Sequence, residues 1–66
     1  MIGSRIKDIR VMKGKTQKQI SDLSGIGIPH ISSIENNRRK PSVGTLSKLA
    51  KALNCSGLDL YHILGI

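Results

Sequence analysis

The apolar residues of this chain recur at helical spacing in five short stretches, which are separated by glycine, proline or helix-capping residues. Ile2, Ile6, Ile9 and Met12 follow one another at intervals of four, three and three residues, so they share one face of a helix of about three turns. Gly14 is a suitable stop, because glycine accepts the left-handed conformation at a helix C-terminus. The first stretch therefore predicts an amphipathic helix.

The second stretch begins at Thr16, and Gln19 three residues later completes the capping-box pattern that satisfies two backbone N–H groups. Ile20 and Leu23 are predicted to point inward from this helix. Gly25 is predicted to end it, since a glycine after the last apolar position is a helix stop signal.

A third helix is predicted from about residue 28 to residue 36, with Pro29 in its first turn, where a missing N–H costs nothing. Ile26 is expected to fill the preceding turn, and Ile31 and Ile34 to face the core. Together with the second helix it forms a helix-turn-helix over about residues 16–36. Its remaining surface carries almost no charge, which is unusual for a merely solvated face and favours contact with a partner; this surface consists of Ile28, Pro29, His30, Ser32, Ser33 and Asn36.

Two more helices complete the pattern. Pro41 and Ser42 begin the fourth, and Ser56 with Asp59 caps the fifth. The apolar positions predicted to be buried are Val43, Leu46, Leu49, Ala50 and Leu53 in the fourth helix and Leu60, Ile63 and Leu64 in the fifth. The sequence shows no strand, linker or repeat, so it predicts an all-α fold of five short helices in one domain, residues 1–66.

Positive charge is the second strong feature of the sequence. Eleven lysine and arginine residues against four aspartate and glutamate residues give a net charge of +7. Phe and Trp are absent and Tyr61 is the one aromatic residue, so the core must be aliphatic. Basic clusters flank the helix-turn-helix where nucleic-acid phosphates would run, although the second cluster also fits an ordinary solvated loop; they are Lys13, Lys15 and Lys18, and Arg38, Arg39 and Lys40.

Several classes of function are disfavoured by what the sequence lacks. Cys55 has no partner for a disulfide or a cysteine-type zinc site, which fits a reducing cytoplasm. His30 and His62 do not share a metal-ligand spacing, so we expect no metal and no cofactor. The N-terminus lacks the apolar core of a signal peptide, and no run approaches the ~18 apolar residues of a membrane span. No nucleophile–base pattern, paired carboxylate or phosphate-binding glycine loop points to an enzyme.

Several motifs of this chain occur together in one known family of small helical domains. They are Ile2-Gly3, Arg5-Ile6-Lys7 and Arg10; Lys13-Gly14 and Thr16-Gln17; Gly25-Ile26; Ile31-Ser32 and Ile34-Glu35; Pro41-Ser42; and Leu46 with Lys48-Leu49-Ala50-Lys51-Ala52-Leu53. Over essentially all 66 residues the chain resembles the DNA-binding domain of the lambda-repressor-like family, the Xre-type helix-turn-helix regulators.

The resemblance implies a five-helix domain that binds a palindromic operator in double-stranded DNA as a dimer. It implies that the third helix contacts the bases, and we call it the reading helix. It also implies that Gln17 touches phosphate and braces the reading helix, and that Arg10 and Glu35 form an ion pair between the first and third helices. The positions that face base edges are Gly27, Ile28, Pro29, Ser32 and Ser33. With the basic clusters included, the predicted phosphate contacts are Lys15, Gln17, Lys18, His30, Asn37, Arg38, Arg39 and Lys40.

The chain departs from the family pattern at the start of the reading helix. Many relatives carry Ser or Thr at position 27 and polar residues at the next two positions, whereas Ile28 and Pro29 cannot make bidentate hydrogen bonds to bases. Base readout is therefore expected to use a thymine-methyl contact from Ile28 and the hydroxyls of Ser32 and Ser33, with His30 as a further candidate. The bendability of the operator is expected to contribute as well. Alternatives stay open: Ile28 also fits a core stripe, Pro29 also serves to start the helix, and Gln17 also suits a helix start.

Apolar residues crowd the C-terminus beyond what one helix of a small domain can bury. One explanation is core packing followed by a frayed tail. The other, which we predict, is a two-fold interface that sets two half-sites about 34 Å apart along the duplex; it contains Leu58, Tyr61, Ile63, Leu64 and Ile66. Because the sequence stops within an apolar segment, a further oligomerisation domain is also compatible with the pattern.

The sequence therefore predicts a cytoplasmic, sequence-specific DNA-binding transcriptional regulator, most simply a homodimeric repressor that occludes a promoter. The alternative is an antitoxin-type regulator or a protein-interaction module that binds an acidic partner. A third class, a cationic peptide on a membrane surface, is disfavoured, because such a peptide would form one longer amphipathic helix instead of several short capped ones.

Overall fold

The computed structural model describes residues 2–65 and contains five α-helices in that part of the chain. They are α1 (Ile2–Met12), α2 (Gln17–Ser24), α3 (Ile28–Glu35), α4 (Val43–Ala52) and α5 (Gly57–Leu64). Residues 2–65 contain no strand, so the predicted all-α class is confirmed, and α2 and α3 form the helix-turn-helix at the predicted place. None of these helices is both long and apolar enough to cross a membrane.

The helix ends follow from the local sequence. The hydroxyl of Thr16 accepts a hydrogen bond from the backbone N–H of Gln19 at 3.1 Å, and the Gln19 amide oxygen accepts from the Thr16 N–H at 2.8 Å, which confirms the capping box. Gly25 ends α2 with φ at 76°, a left-handed conformation in which glycine meets no steric penalty. Ser56 and Asp59 form a second capping box at α5. Caps of this kind are each worth about 1 kcal/mol.

The core is aliphatic, as the composition requires. Every helix contributes at least one buried aliphatic side chain, and Ile26 fills the turn between α2 and α3. Fully burying such a side chain contributes about 1.5–3 kcal/mol relative to leaving it in water. The buried hydrophobic residues are Ile6, Ile9, Ile20, Ile26, Ile31, Ile34, Leu49, Leu53 and Ile63, with Leu46, Ala52 and Cys55 packed against them.

Five residues predicted for the inward apolar faces are exposed instead. Met12 is 77% exposed, Leu23 63%, Val43 87%, Leu64 47% and Ile2 38%. Each lies at or next to the end of its helix, where no other helix covers the side chain. In α2, for example, Ile20 is buried and Ser21 is half-buried, whereas Leu23 is exposed. The spacing rule identified the helices but not the direction of these side chains.

The first turn of α1 approaches α3 so closely that only glycine fits. A Cβ at Gly3 would overlap the carbonyl oxygen of Ile34 and would lie 2.6 Å from Oδ1 of Asn37. The Gly3 N–H donates to that Oδ1 at 3.1 Å, and Nδ2 of Asn37 donates to Oγ of Ser4 at 3.0 Å. Asn37 has φ at 61°, the left-handed turn that asparagine tolerates. These contacts join the start of α1 to the loop after α3.

Gly3→Ala should therefore destabilise the domain by about 1–3 kcal/mol, because the added methyl group must push α1 away from the backbone of α3. Urea denaturation measures the effect. Gly57→Ala is the matched control: a Cβ at that position, the first residue of α5, meets nothing. Alanine in an unstrained helical position gains up to about 1 kcal/mol over glycine. Equal stabilities of the two variants would contradict the close contact between α1 and α3.

Candidate nucleic-acid interface

The outward face of α3 carries the residues predicted to contact bases. Gly27 caps the helix in an extended conformation and is exposed, as is Pro29 in the first turn. Ile28 is 40% exposed and lies outside the core cluster, so the core-stripe explanation for this residue is wrong. Ser32 and Ser33, one turn further along, are half-buried, and neither is turned into the core. The structure thus brings these five positions together along one accessible side of a short helix.

A buried carboxylate fixes the position of this helix. Glu35 ends α3 with its side chain 2% exposed, and Arg10 of α1 reaches it with Nε at 2.7 Å from Oε2 and Nη2 at 3.1 Å from Oε1. Arg10 also donates from Nη1 to the carbonyl oxygen of Lys15 at 2.7 Å. The ion pair implied by the resemblance is therefore present, and it also holds the loop before α2.

Gln17 braces α3 through the same carboxylate. Its Nε2 donates to Oε1 of Glu35 at 3.1 Å, and the side chain is half-buried in the first turn of α2. Glu35 thereby accepts three side-chain hydrogen bonds, two from Arg10 in α1 and one from Gln17 in α2. The bracing role of Gln17 is confirmed, and its phosphate contact stays a prediction.

The loop after α3 presents an uncompensated positive charge. Arg38, Arg39 and Lys40 are all exposed, and the backbone N–H groups of the two arginines donate to the carbonyl oxygen of Ser33 at 2.9 and 3.3 Å. The loop thus folds back on α3. Within residues 2–65 the partners of the four acidic residues all lie elsewhere: Arg10, Lys13 and Lys18 form ion pairs, and His62 lies 3.8 Å from Asp8. The three basic side chains of residues 38–40 therefore have no carboxylate partner in that part of the chain.

The other predicted phosphate ligands differ in their surroundings. Lys15 is exposed before α2, and His30 is half-buried in the first turn of α3. Lys18 lies 3.2 Å from Asp22, one turn along α2, but both side chains are well exposed, so this pair costs little to break. The side chain of Asn37 is engaged with α1, as described above, which is a different role from the phosphate contact predicted for it.

Lys13 does not belong to the basic cluster beside the reading helix, where the sequence analysis placed it. Its Nζ lies 3.1 Å from Oδ2 of Asp59 and donates to the carbonyl oxygen of Asn54 at 3.1 Å, so it faces the junction between α4 and α5. The backbone N–H of Ser56 and then the ammonium group of Lys13 lower the pKa of the Asp59 carboxyl. Burial raises the pKa of the neighbouring Cys55 thiol.

The outer side of α5 carries an apolar surface, although not all of the residues predicted for it. Leu58 is 80% exposed, Tyr61 56% and Leu64 47%. Ile63 is 1% exposed and lies in the core, so its assignment to an interface is wrong; it is on the opposite side of the helix from Leu58 and Tyr61. Ile66 lies outside the described residues. We define Leu58, Tyr61 and Leu64 as the α5 surface.

Sequence reasoning missed the polar contacts that join α1 to α5 and to the loop after α3. Arg5 donates from Nη1 to the carbonyl oxygen of His62 at 2.8 Å, across 57 positions of sequence. The bond between Gly3 and Asn37 spans 34 positions. No periodicity or capping rule pairs residues so far apart. Within residues 2–65, no group of three or more His, Cys, Asp or Glu residues is arranged to hold a metal ion.

Comparison with known proteins agrees with this geometry. The family model described as helix-turn-helix matches residues 6–60. An uncharacterized HTH-type transcriptional regulator of Sinorhizobium fredii is 40% identical over 60 residues, covering 91% of this chain and 78% of that protein. The competence pilus inhibition repressor of Acinetobacter baylyi is 40% identical over 60 residues, covering 91% of this chain and 54% of the repressor.

Solved structures of similar fold include restriction-modification controller proteins. The restriction-modification controller protein C.Esp1396I superposes with a TM-score of 0.87 at 29% identity, covering 97% of this chain and 86% of that chain. The controller protein C.AhdI from Aeromonas hydrophila gives a TM-score of 0.82 at 30% identity, covering 89% of each chain.

Arg10→Met should cost about 3–5 kcal/mol of unfolding free energy, because it leaves a buried carboxylate with Gln17 as its one side-chain donor. That is a large part of the roughly 3–10 kcal/mol expected for a domain of this length. Urea denaturation checks the value. Lys18→Met, which breaks the exposed pair with Asp22, is the matched control and should cost no more than about 0.5 kcal/mol. Similar losses for both variants would show that Glu35 does not depend on Arg10.

Proposed function

Since this chain belongs to the helix-turn-helix family of lambda-repressor-like, Xre-type transcriptional regulators, we propose that it binds a palindromic DNA operator as a homodimer and represses transcription by occluding a promoter. The observation that carries the proposal is the position of α3. The buried Glu35 network holds this helix, its outward face is nearly free of charge, and the basic residues 38–40 beside it have no carboxylate partner among residues 2–65. A groove-reading helix next to a phosphate-binding loop requires this combination.

The chemistry of the outward face indicates how bases would be read. The exposed side chain of Ile28 suits van der Waals contact with a thymine methyl group, and the hydroxyls of Ser32 and Ser33 donate to or accept from either kind of base pair. None of these residues makes a bidentate contact, so direct readout is modest. We therefore propose that operator shape and bendability supply part of the specificity.

Phosphate contacts would supply most of the affinity. The exposed residues Arg38, Arg39 and Lys40 lie at the C-terminal end of α3, and Lys15 and Lys18 lie at the start of α2. Along the chain, one group precedes the reading helix and the other follows it. Gln17, which lies between Lys15 and Lys18 in the sequence, and His30 in the first turn of α3 are proposed as further contacts. Each neutralised phosphate releases counterions, so binding is expected to weaken steeply with salt.

We propose that the α5 surface forms the dimer interface. Three large apolar side chains are exposed there on a helix of eight residues, and a second copy of the chain would cover them about a two-fold axis. A two-fold axis between two reading helices explains why the operator would be a palindrome. The proposed site of action is the cytoplasm, where the DNA is, and catalysis is no part of this role.

Selection from a pool of random duplexes tests the proposal. The expected result is enrichment of a two-fold symmetric sequence whose half-site centres are about 34 Å, or one helical turn, apart. Failure to enrich any symmetric sequence would contradict a dimeric reader. Recovery of a stoichiometric acidic protein in place of DNA would favour the alternative role as an antitoxin-type or protein-interaction module.

Two substitutions should separate base readout from phosphate binding. Ser33→Ala should relax discrimination at one or two base pairs, by up to about 1–3 kcal/mol where a good contact is lost. Arg39→Ala should weaken binding to all sequences alike and reduce the slope of log K against log salt by about 0.9. Competition binding at several salt concentrations measures both effects.

Lys7→Ala is the control for lost charge, because Lys7 is exposed on α1, away from α3 in sequence. It should leave the salt slope close to that of the wild type. If Arg39→Ala altered base preference instead, the division of contacts between α3 and the loop would be wrong.

A further inference from the structure

Helix α1 is the structural link between the reading helix and the proposed dimer surface. It packs against α5 on one side and against α3 on the other, whereas α3 and α5 share no packing interface of comparable extent. The orientation of α3 relative to α5 is therefore transmitted through α1. In a two-fold dimer, any change in this orientation occurs in both protomers and therefore displaces both reading helices.

Polar contacts hold α5 against α1 at both of its ends. At the start of α5, the ammonium group of Lys13 lies 3.1 Å from Oδ2 of Asp59 and 3.1 Å from the carbonyl oxygen of Asn54. At its end, the guanidinium of Arg5 donates to the carbonyl oxygen of His62 at 2.8 Å. The two helices thus run antiparallel.

The middle of the same contact is less tightly held. Nε2 of His62 lies 3.8 Å from Oδ2 of Asp8, and both side chains are about half exposed. Ile63 is the one fully buried side chain that α5 contributes, and Leu60 is half-buried beside it. The two polar contacts, one at each end, therefore add directional constraints to the apolar packing of α5 on α1.

The other side of α1 is rigidly joined to the reading unit. Arg10 holds the buried Glu35 at the end of α3, and Gly3 lies against the backbone of Ile34 with its N–H bonded to Asn37. The contacts to α3 and those to α5 alternate along α1: Gly3, then Arg5, then Arg10, then Lys13. Loss of the Arg5 or Lys13 contact would therefore loosen α5 on α1 and leave the contacts between α1 and α3 in place.

We propose that α1 sets the spacing and relative angle of the two reading helices, and that Arg5 and Lys13 are positioning residues that fix the half-site spacing of the operator. The inference rests on the proposed function, in that it takes a second copy of the chain to be bound through the α5 surface. Adding one base pair between the half-sites moves them about 3.4 Å further apart and rotates one relative to the other by about 35° around the duplex axis. If the contact between α1 and α5 is rigid, the dimer loses affinity for such an operator. If α5 can rotate on α1, the dimer keeps most of that affinity.

The test measures affinity for the selected operator and for versions whose half-sites are one base pair closer together or further apart. The wild type should bind its own spacing at least about tenfold more tightly than either neighbour, since two major-groove helices must fit at once. Arg5→Gln/Lys13→Gln should reduce this ratio to about threefold or less while leaving the preferred half-site sequence unchanged. Each single variant should fall between the two.

Lys7→Gln/Lys51→Gln is the matched control, because it removes the same charge from exposed positions on α1 and α4. It should change affinity for all spacings by the same small factor, if at all, and keep the ratio of the wild type. Circular dichroism confirms that each variant is folded at the assay temperature, and the single variants serve if the double variant is not.

Two outcomes would overturn the inference in distinguishable ways. If the wild type rejects altered spacings and the folded Arg5 and Lys13 variants reject them equally, α1 does not set the spacing, and the proposed dimeric reader stands. If the wild type binds one half-site as tightly as two, the dimeric reader itself is wrong and the inference falls with it. A variant that loses half-site preference would show that the substitutions act through α3 instead of α5.

Discussion

The buried carboxylate of Glu35 is the constraint on which the arrangement of the first three helices depends. A charge removed from water must keep its partners, and here they come from Arg10 in α1 and Gln17 in α2. The guanidinium also holds the carbonyl oxygen of Lys15. One acidic group thus fixes the reading helix, its neighbour and the loop between α1 and α2. The outward face of α3 is therefore presented on a unit that moves as a whole.

The charged residues outside that network lie on several parts of the surface. Within residues 2–65, three of the four acidic residues pair with Arg10, Lys13 and Lys18, and Asp8 lies near His62, so none of them neutralises residues 38–40. Part of the surplus of positive charge therefore lies where the proposed DNA phosphates run, and part lies on α1 and α4, at Lys7, Lys48 and Lys51. Lys13 and Arg5 have another role, since they hold α5. Basic residues thus serve two purposes, electrostatic attraction and helix positioning.

The features that depend on neighbours in sequence were predicted well. The capping boxes at Thr16 and Ser56 and the glycine turn at Gly25 each involve groups within four residues, so local rules determine them. Directions of side chains at helix ends were predicted poorly. Leu23 and Val43 fit an apolar spacing but are exposed, because burial also requires another helix to cover that position. The base-facing and phosphate-facing assignments came from family resemblance and stay predictions.

By itself the sequence determined the number, limits and caps of the helices, the aliphatic core and the excess of positive charge, since each is a property of composition or of residues close together in the chain. Tertiary structure alone decided which exposed apolar residues of α5 remain uncovered, why position 3 must be glycine, and how Arg5 and Lys13 tie α5 to α1. Those features arise where segments distant in sequence meet, and the packing of backbones that brings them together leaves no periodic signal in the residues themselves.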